Sequence, residues 1–267
     1  MGFEKYKLGM NFLDSVSTAI HKTIGDDDRP VVVFSSAWPF LKVMNESNED
    51  GVKKLLDVLI DAVGGRGLLM PTFTNGYHGG FCNLNRESSS TGVLSECFRK
   101  RSDTLQTLSA FFSFAVLGKI ADEVIYLKPK YAWGEGSLYE WMEHRDVCFL
   151  LLGTHPTHCS YLHRMEWLAR DVINYRFNKE FNGVLIKDGL SIELHETLFV
   201  RRMDPPVLHD FTVLLPFLEC AGMKKQIVNG ISLASYYAKS TLKYLLPAIQ
   251  KDPYLTVVNR YDYEGRP

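Results

Sequence analysis

Residues 147–170 read VCFLLLGTHPTHCSYLHRMEWLAR. The first six, Val147 to Leu152, form a short unbroken apolar run, the composition of a strand covered on both faces. Gly153 and Thr154 break the run, and Pro156 prevents a helix from continuing back through it. From Cys159 onward the apolar spacing predicts a helix that packs through Leu162, Met165 and Trp167. A buried strand thus delivers a histidine-rich turn into a helix. In open α/β sheets ligands sit just beyond the carboxyl ends of the strands, and His155, His158, Cys159, His163 and Glu166 crowd this one edge.

The flanking sequence supplies the rest of such a sheet. Phe12 to Ile24 has helical apolar spacing, GDDDRP makes a charged turn, and Val31 to Phe34 reads as a buried strand ending in Ser35 and Ser36. Small hydroxyl residues at a strand's carboxyl end leave backbone amides free to meet a phosphate or a pantetheine amide, and they equally suit a turn and an N-cap. Asn48, Glu49 and Asp50 start a helix that Gly64 and Gly65 stop, and a strand follows at Gly67 to Met70, ending in Pro71, Thr72, Phe73 and Thr74. Asn75 to Thr91 is polar and glycine-rich, a long loop over the sheet's edge. Next come a helix at Gly92 to Lys100, strands at Ala110 to Gly118 and Val124 to Leu127, a turn at Trp133 to Gly136 and a short helix at Ser137 to Glu143. Beyond the histidine-rich stretch, Gly183 to Lys187, Ser191 to Glu193 and Thr197 to Arg202 alternate apolar and polar residues, which predicts a small appended antiparallel β region at about 181–203. Phe211 to Cys220 and Leu233 to Leu246 read as helices and Tyr254 to Val258 as a closing or edge strand.

Composition narrows the class. At 267 residues and 46% apolar content the chain can bury a large core, read here as a single α/β domain spanning 1–267. With 30 basic against 31 acidic residues, neither nucleic acid nor a membrane surface is an expected partner. No run approaches a membrane span, the start MGFEKYKLGMNF lacks the apolar stretch of a signal peptide, and Tyr6 stands where acylation at Gly2 would want a small hydroxyl residue. The expected location is cytoplasmic. Cys82, Cys97, Cys148, Cys159 and Cys220 are odd in number, dispersed and never in a CxxC pair, so neither a disulfide framework nor a zinc ribbon is indicated.

Three chemistries can be drawn from the organising stretch. His163 and Glu166, three apart on a helix, share a face, so the carboxylate can hold the imidazole in one tautomer as a general base; the same spacing also makes an ordinary surface ion pair. Cys159 and His163, four apart, would suit a thiolate and its base for covalent acyl transfer, or Cys159 is a small buried side chain. His155, His158, His163 and Glu166 could ligate a metal, but the spacing lacks HExxH or a paired CxxC, and no metal is expected.

Six segments, in order, resemble the aminoglycoside 3-N-acetyltransferase superfamily, which transfers acyl groups from acyl-coenzyme A to amino groups of sugars. VVVFSSAWPF is similar to the family's strand with paired serines, and GVKKLLDVLIDAVGGRGLLMPTFT to its helix, glycine turn and MPTFT strand. STGVLSECFRK resembles its TGxxxExFR segment and SFAVLG the strand after its His-Pro pair. CSYLHRMEW resembles its NTSLHLAE helix, and GISLASYYAKSTLKYLLPAI its C-terminal helix. The resemblance implies an α/β fold with a central, mostly parallel mixed sheet flanked by helices, distinct from the GCN5-like acetyltransferase fold, and acyl-coenzyme A as co-substrate.

Carried over by position, the resemblance implies that His163 and Glu166 are catalytic, with His163 deprotonating or orienting the attacking amine. It implies coenzyme A contacts at Ser35, Ser36, Thr72, Ser90, Thr91, Gly92, Ser113, Phe114 and Ala115. His155, His158, Ser160 and Tyr161 are the candidate substrate-binding residues, Ser160 among the candidate oxyanion donors. Two departures stand out: Ser109, Ala110, Phe111 and Phe112 replace the family's His-Pro-Thr-His, and Cys159 replaces an Asn. Because the region from Asn174 to Asp210 mixes acids with Lys179, Lys187, Arg201 and Arg202, with Tyr161, Trp167, Tyr175 and Phe177 nearby, the leading expectation is a nucleotide-linked 3- or 4-amino sugar for bacterial surface polysaccharide. The alternatives are an aminoglycoside acetyltransferase of antibiotic modification, or a homologue that binds acyl-coenzyme A or sugar without turnover. A homodimer is compatible with all of these.

Overall fold

The computed structural model describes residues 11–265. The readings of the chain's start, no leader and no acylation at Gly2, lie outside the described residues. The first helix, α1 (Phe12–Ile24), is closed by Asn11, whose side chain accepts the Asp14 N–H at 2.9 Å while the Asp14 carboxylate accepts the Asn11 N–H. Then come β1 (Val31–Ser35), a short α2 (Trp38–Met44) that the spacing did not mark, and α3 (Glu49–Val63), capped by Asn48 and stopped at Gly64 as predicted. The chain continues through β2 (Leu68–Pro71), β3 (Phe81–Asn83), α4 (Val93–Arg99), β4 (Leu105–Gln106) and β5 (Phe114–Leu117). Next are α5 (Ala121–Val124), α6 (Leu138–His144), β6 (Cys148–Leu152), α7 (Leu162–Leu168), β7 (Arg176–Lys187) and β8 (Leu190–Arg201). The last elements are α8 (Leu215–Cys220), β9 (Lys224–Val228), β10 (Ile231–Tyr237) and α9 (Ala238–Lys251).

Seven strands form the main sheet in the order β4-β5-β2-β1-β6-β10-β9. Its centre, β2-β1-β6, is parallel, and β5 and β10 are the two strands that run against the other five. All five residues of β6 are buried. Val32, Phe34, Phe149 and Leu151 feed one apolar layer and Val31, Val33, Leu150 and Leu152 the other, so both faces of the centre are covered. The register pairs Ser35 with Leu152, and the Ser36 N–H donates to the Leu152 carbonyl at 2.9 Å. The serine turn and the histidine-rich turn therefore leave the sheet side by side. Gly153 is required there: at φ +68, a Cβ would stand 2.7 Å from the Ser36 carbonyl oxygen and 2.5 Å from the Phe40 ring.

Several expectations are corrected. Val124 to Leu127 is not a strand; Val124 ends α5. Only Phe114–Leu117 of the segment from Ala110 to Gly118 pairs as a strand. Leu233 to Tyr237 belongs to β10 rather than to a helix, and β9 precedes it across an Asn229-Gly230 turn in which both residues are left-handed, φ 48 and 80. That pair of positive φ values is what a two-residue hairpin requires, and Asn-Gly is its strongest sequence signal. Tyr254 to Val258 forms no strand, only a single bridge between His209 and Val257. The three short strands of the appended region are one ribbon of two twelve-residue strands turning at Asp188-Gly189, joined by β3, which pairs parallel with β7. The appended sheet is thus wider than 181–203 and not wholly antiparallel. Residues 177–180 of the ribbon are all exposed, so no inward face imposes the alternation by which strands are recognised. Among the described residues no helix is long and apolar enough to cross a membrane.

Candidate active site

The turn after β6 is tied by its own side chains. The Thr154 hydroxyl lies 2.9 Å from His158 Nδ1, the Thr157 hydroxyl 2.7 Å from His155 Nδ1, and the His158 N–H donates to the His155 carbonyl. Tyr236 of β10 fixes it from below through a hydroxyl bond to the Pro156 carbonyl at 2.8 Å. The turn hands the chain to α7, which carries His163 and Glu166 one turn apart.

Glu166 is 1% exposed, and both its oxygens are occupied. Oε2 lies 2.6 Å from His163 Nδ1 and 2.9 Å from Arg176 Nη2; Oε1 accepts Arg176 Nε and the Tyr175 hydroxyl, each at 3.0 Å. Arg176, itself buried, places its remaining nitrogen 3.1 Å from the Phe199 carbonyl of β8. Burial alone would raise the Glu166 carboxyl, but the Arg176 charge and the His163 bond bring it down to about 2, so Glu166 is an anion at neutral pH. The anion fixes Nδ1 of His163 as a donor and leaves Nε2 as an acceptor. Arg176 Nη2 also comes within 3.3 Å of His163 Nδ1, a close approach of two donors rather than a bond, since the Nδ1 proton is spent on the shorter contact to Glu166. His209 sits behind the group, 3.2 Å from the Thr256 hydroxyl and 5.6 Å, ring to ring, from Tyr175. Burial pulls its pKa down to about 4, and it is neutral.

His163 is one-third exposed and stands between the rings of Trp133 at 5.9 Å and Phe211 at 5.2 Å. It lines a cleft of about 350 Å³ together with Ser35, Thr91, His158, Ser160 and Phe73. Six of the residues singled out from sequence, Ser35, Thr91, His158, Cys159, Ser160 and His163, are therefore brought to one space. Ser36, Ser90, Gly92 and His155 adjoin lining residues in sequence but do not line it; Ser90 donates through both N–H and hydroxyl to the Phe73 carbonyl, and the Thr91 hydroxyl donates to the Pro71 carbonyl at 2.5 Å, which pins this loop to the end of β2. Ser160 takes the Tyr139 hydroxyl at 2.8 Å.

Other candidates lie elsewhere. Thr72 and Ser113 are buried and bond each other at 3.1 Å, with Gln106 Nε2 reaching both. Phe114 and Ala115 are interior residues of β5 whose backbone is taken up by Thr107 and by strand pairing, so these four have no polar group to offer coenzyme A. Tyr161 is fully buried against Phe149, its hydroxyl 3.3 Å from the Ala238 carbonyl, and belongs to the core rather than to a substrate site. Trp167 and Tyr175 are likewise consumed by packing and by Glu166. Among the described residues no three His, Cys, Asp or Glu side chains are arranged to hold a metal ion.

Cys159 lines the cleft but is 5% exposed, and burial pushes its thiol up to about 12. Its thiolate population at neutral pH is negligible, which removes the nucleophile a covalent route needs. Cys159→Ala is expected to keep full turnover and to yield no acylated protein by mass spectrometry; a large loss of kcat, or an acyl adduct on the parent at Cys159, would restore that route.

The sequence does not mark Arg176, His209 or Thr256 as site residues, and it offers Tyr175 as a stacking aromatic rather than as the donor to Glu166 that it is. The available signal was Arg176 itself, a cation set between Tyr175 and Phe177 where a strand begins; nothing marks His209 or Thr256, which reach the site only through the chain's return past β8.

The fold and the cleft place the chain among α/β proteins that keep a His–Glu pair beyond the carboxyl ends of a parallel sheet centre. The chain belongs to the aminoglycoside 3-N-acetyltransferase family, whose sequence profile matches residues 41–244. Among solved structures it is similar to the aminoglycoside acetyltransferase AAC(3)-Xa, with a TM-score of 0.74 at 16% identity over 90% of this chain and 93% of that one. It is also similar to AAC-IIIb in its binary complex with CoASH (TM-score 0.71, 16% identity, 90% and 97% covered) and to AAC(3)-IVa in complex with a gentamicin (0.69, 18%, 93% and 92%). No curated protein matches the chain in sequence.

Proposed function

We propose that the protein transfers an acetyl group from acetyl-coenzyme A to an amino group of an aminoglycoside, by direct attack of the amine assisted by His163. The observation that carries this reading is the 2.6 Å contact of His163 Nδ1 with an anionic, arginine-held Glu166, with His163 lining the cleft. An ammonium is no nucleophile, so a base must hold or take its proton. Nε2 is that base, and Glu166 stabilises the imidazolium that forms. The thioester oxygen then needs donors, for which Ser160 and the backbone of the histidine-rich turn are at hand. The thiolate of coenzyme A leaves readily, and a ternary complex suffices.

Family membership supports this acceptor over the nucleotide-linked sugar. Three of the four aromatics behind the latter, Tyr161, Trp167 and Tyr175, are buried and cannot stack on a base; of the four only Phe177 is exposed, with Arg202 over its ring. Thiol release from acetyl-coenzyme A, followed with one panel of aminoglycosides and another of nucleotide-linked amino sugars, decides between them. Turnover is expected on the first panel; turnover on the second alone, or on neither, overturns the proposal.

A further inference from the structure

A second buried carboxylate lies outside the cleft. Glu196 of β8 is 8% exposed; its Oε1 accepts the Ala110 N–H at 2.7 Å and its Oε2 the Ser109 hydroxyl at 3.0 Å. Both donors are neutral, and no cation acts on it among the described residues. Burial raises its carboxyl to about 7 against those two bonds, so it is poised between acid and anion. The acyl-transfer mechanism does not use it.

Glu196 lines a cavity of about 190 Å³ between the ribbon and the end of the main sheet. Leu185, Ile192 and Leu194 form one wall, and Leu108, Phe112 and Leu127 the other. Lys128, Glu193 and His195 stand exposed at the rim, the last two paired at 2.9 Å. The hydroxyls of Thr107 and Ser109 are the other polar groups beside the carboxylate. Tyr139 separates this cavity from the cleft: it lines the one, and its hydroxyl bonds Ser160 of the other.

An ionised carboxylate among aliphatic walls is stable only with a cation against it, and walls of leucine and isoleucine accept only a hydrocarbon body. A sugar would bury its hydroxyls there without partners. We propose that this cavity is a binding site for a primary ammonium on a compact apolar body, of the arylalkylamine class, distinct from the acyl-transfer cleft. The ammonium donates to Glu196 and to the Thr107 hydroxyl oxygen, while Ser109 Oγ, which already accepts the Phe111 and Phe112 N–H groups, donates to the carboxylate and holds it in place. No bond is made or broken; where Glu196 starts protonated, its proton goes to solvent. The other titratable groups around it are Cys82 of β3, a neutral thiol raised to about 11 by burial and itself next to Glu87, and the rim residues Lys128, Glu193 and His195.

The test is calorimetric titration of 2-phenylethylamine and of its uncharged counterpart 2-phenylethanol, above pH about 7 where Glu196 is ionised. The parent should bind the amine at one site more tightly than the alcohol. Glu196→Gln, which keeps an acceptor for the Ala110 N–H, should weaken the amine about tenfold or more and leave the alcohol unchanged. Ile192→Trp should block both ligands, and His163→Ala, which cripples the proposed acyl transfer, should leave both unaffected. No amine binding to the parent, equal amine binding to Glu196→Gln, or loss of amine binding in His163→Ala would each overturn the assignment.

Discussion

His163→Ala is expected to lower kcat by about 10²–10⁴-fold, the usual worth of a positioned general base, while coenzyme A still binds. The geometry sets this expectation. With Nδ1 committed to Glu166, Nε2 is the one basic atom of the dyad left for an incoming amine, and of the three imidazoles His163 alone has a carboxylate on Nδ1 to balance the imidazolium, the other two meeting only the Thr154 and Thr157 hydroxyls. Glu166→Gln should fall less far, because the amide can still orient the ring but no longer balances the imidazolium charge. Steady-state rates paired with calorimetry of coenzyme A binding would check both. A rate within about tenfold of the parent in His163→Ala would take the base role away from this residue.

Arg176→Ala is expected to be the most destabilising single change near the site, by about 3–5 kcal/mol, because it leaves the Glu166 anion buried without its main counter-charge. The pH dependence gives the sign. In the parent, Glu166 has a folded pKa of about 2 against an ordinary value of 4.5. It therefore contributes stability that is full above pH about 4.5 and is lost as pH falls through about 2. Without the guanidinium, desolvation dominates and the folded pKa is expected to rise above the ordinary value, so acidification from neutral pH toward about 4.5 should relieve the variant while the parent is unchanged. Arg176→Ala combined with Glu166→Gln should recover much of the stability and none of the activity. Denaturant unfolding at neutral and mildly acid pH measures all three; equal stability of Arg176→Ala and the parent at neutral pH would show that the pair does not hold the fold together.

The legible parts of this protein were those in which a local pattern and its tertiary use coincide. β6 is buried on both faces and reads as an unbroken apolar run; α3 begins at Asn48 and ends at Gly64 because cap residues act over a few positions. His163 and Glu166 meet because residues three apart fall on the same face of an α-helix. The ribbon reads in fragments because its outer length has no buried face to impose alternation, and β10 reads as helix because ISLASYY runs into α9 without a break, its identity lying in the Asn229-Gly230 turn before it. Serine and threonine were the least legible. Ser35 and Thr91 open on the cleft whereas Thr72 and Ser113 spend their hydroxyls on each other, and a hydroxyl's partner is set by strands that lie far apart in sequence.

The order of strands in the main sheet also bears on how the chain is made. β6, the most apolar strand of the centre, pairs on one side with β1 and on the other with β10. During synthesis the first partner is waiting when β6 leaves the ribosome, but the second arrives only after the whole ribbon and α8 have emerged. Through that interval the run Cys148–Leu152 presents an unpaired hydrophobic edge, the kind of segment that recruits other chains. A product ending before Ile231 would carry that edge permanently, so premature termination in the last part of the gene is expected to give aggregation rather than a smaller folded protein.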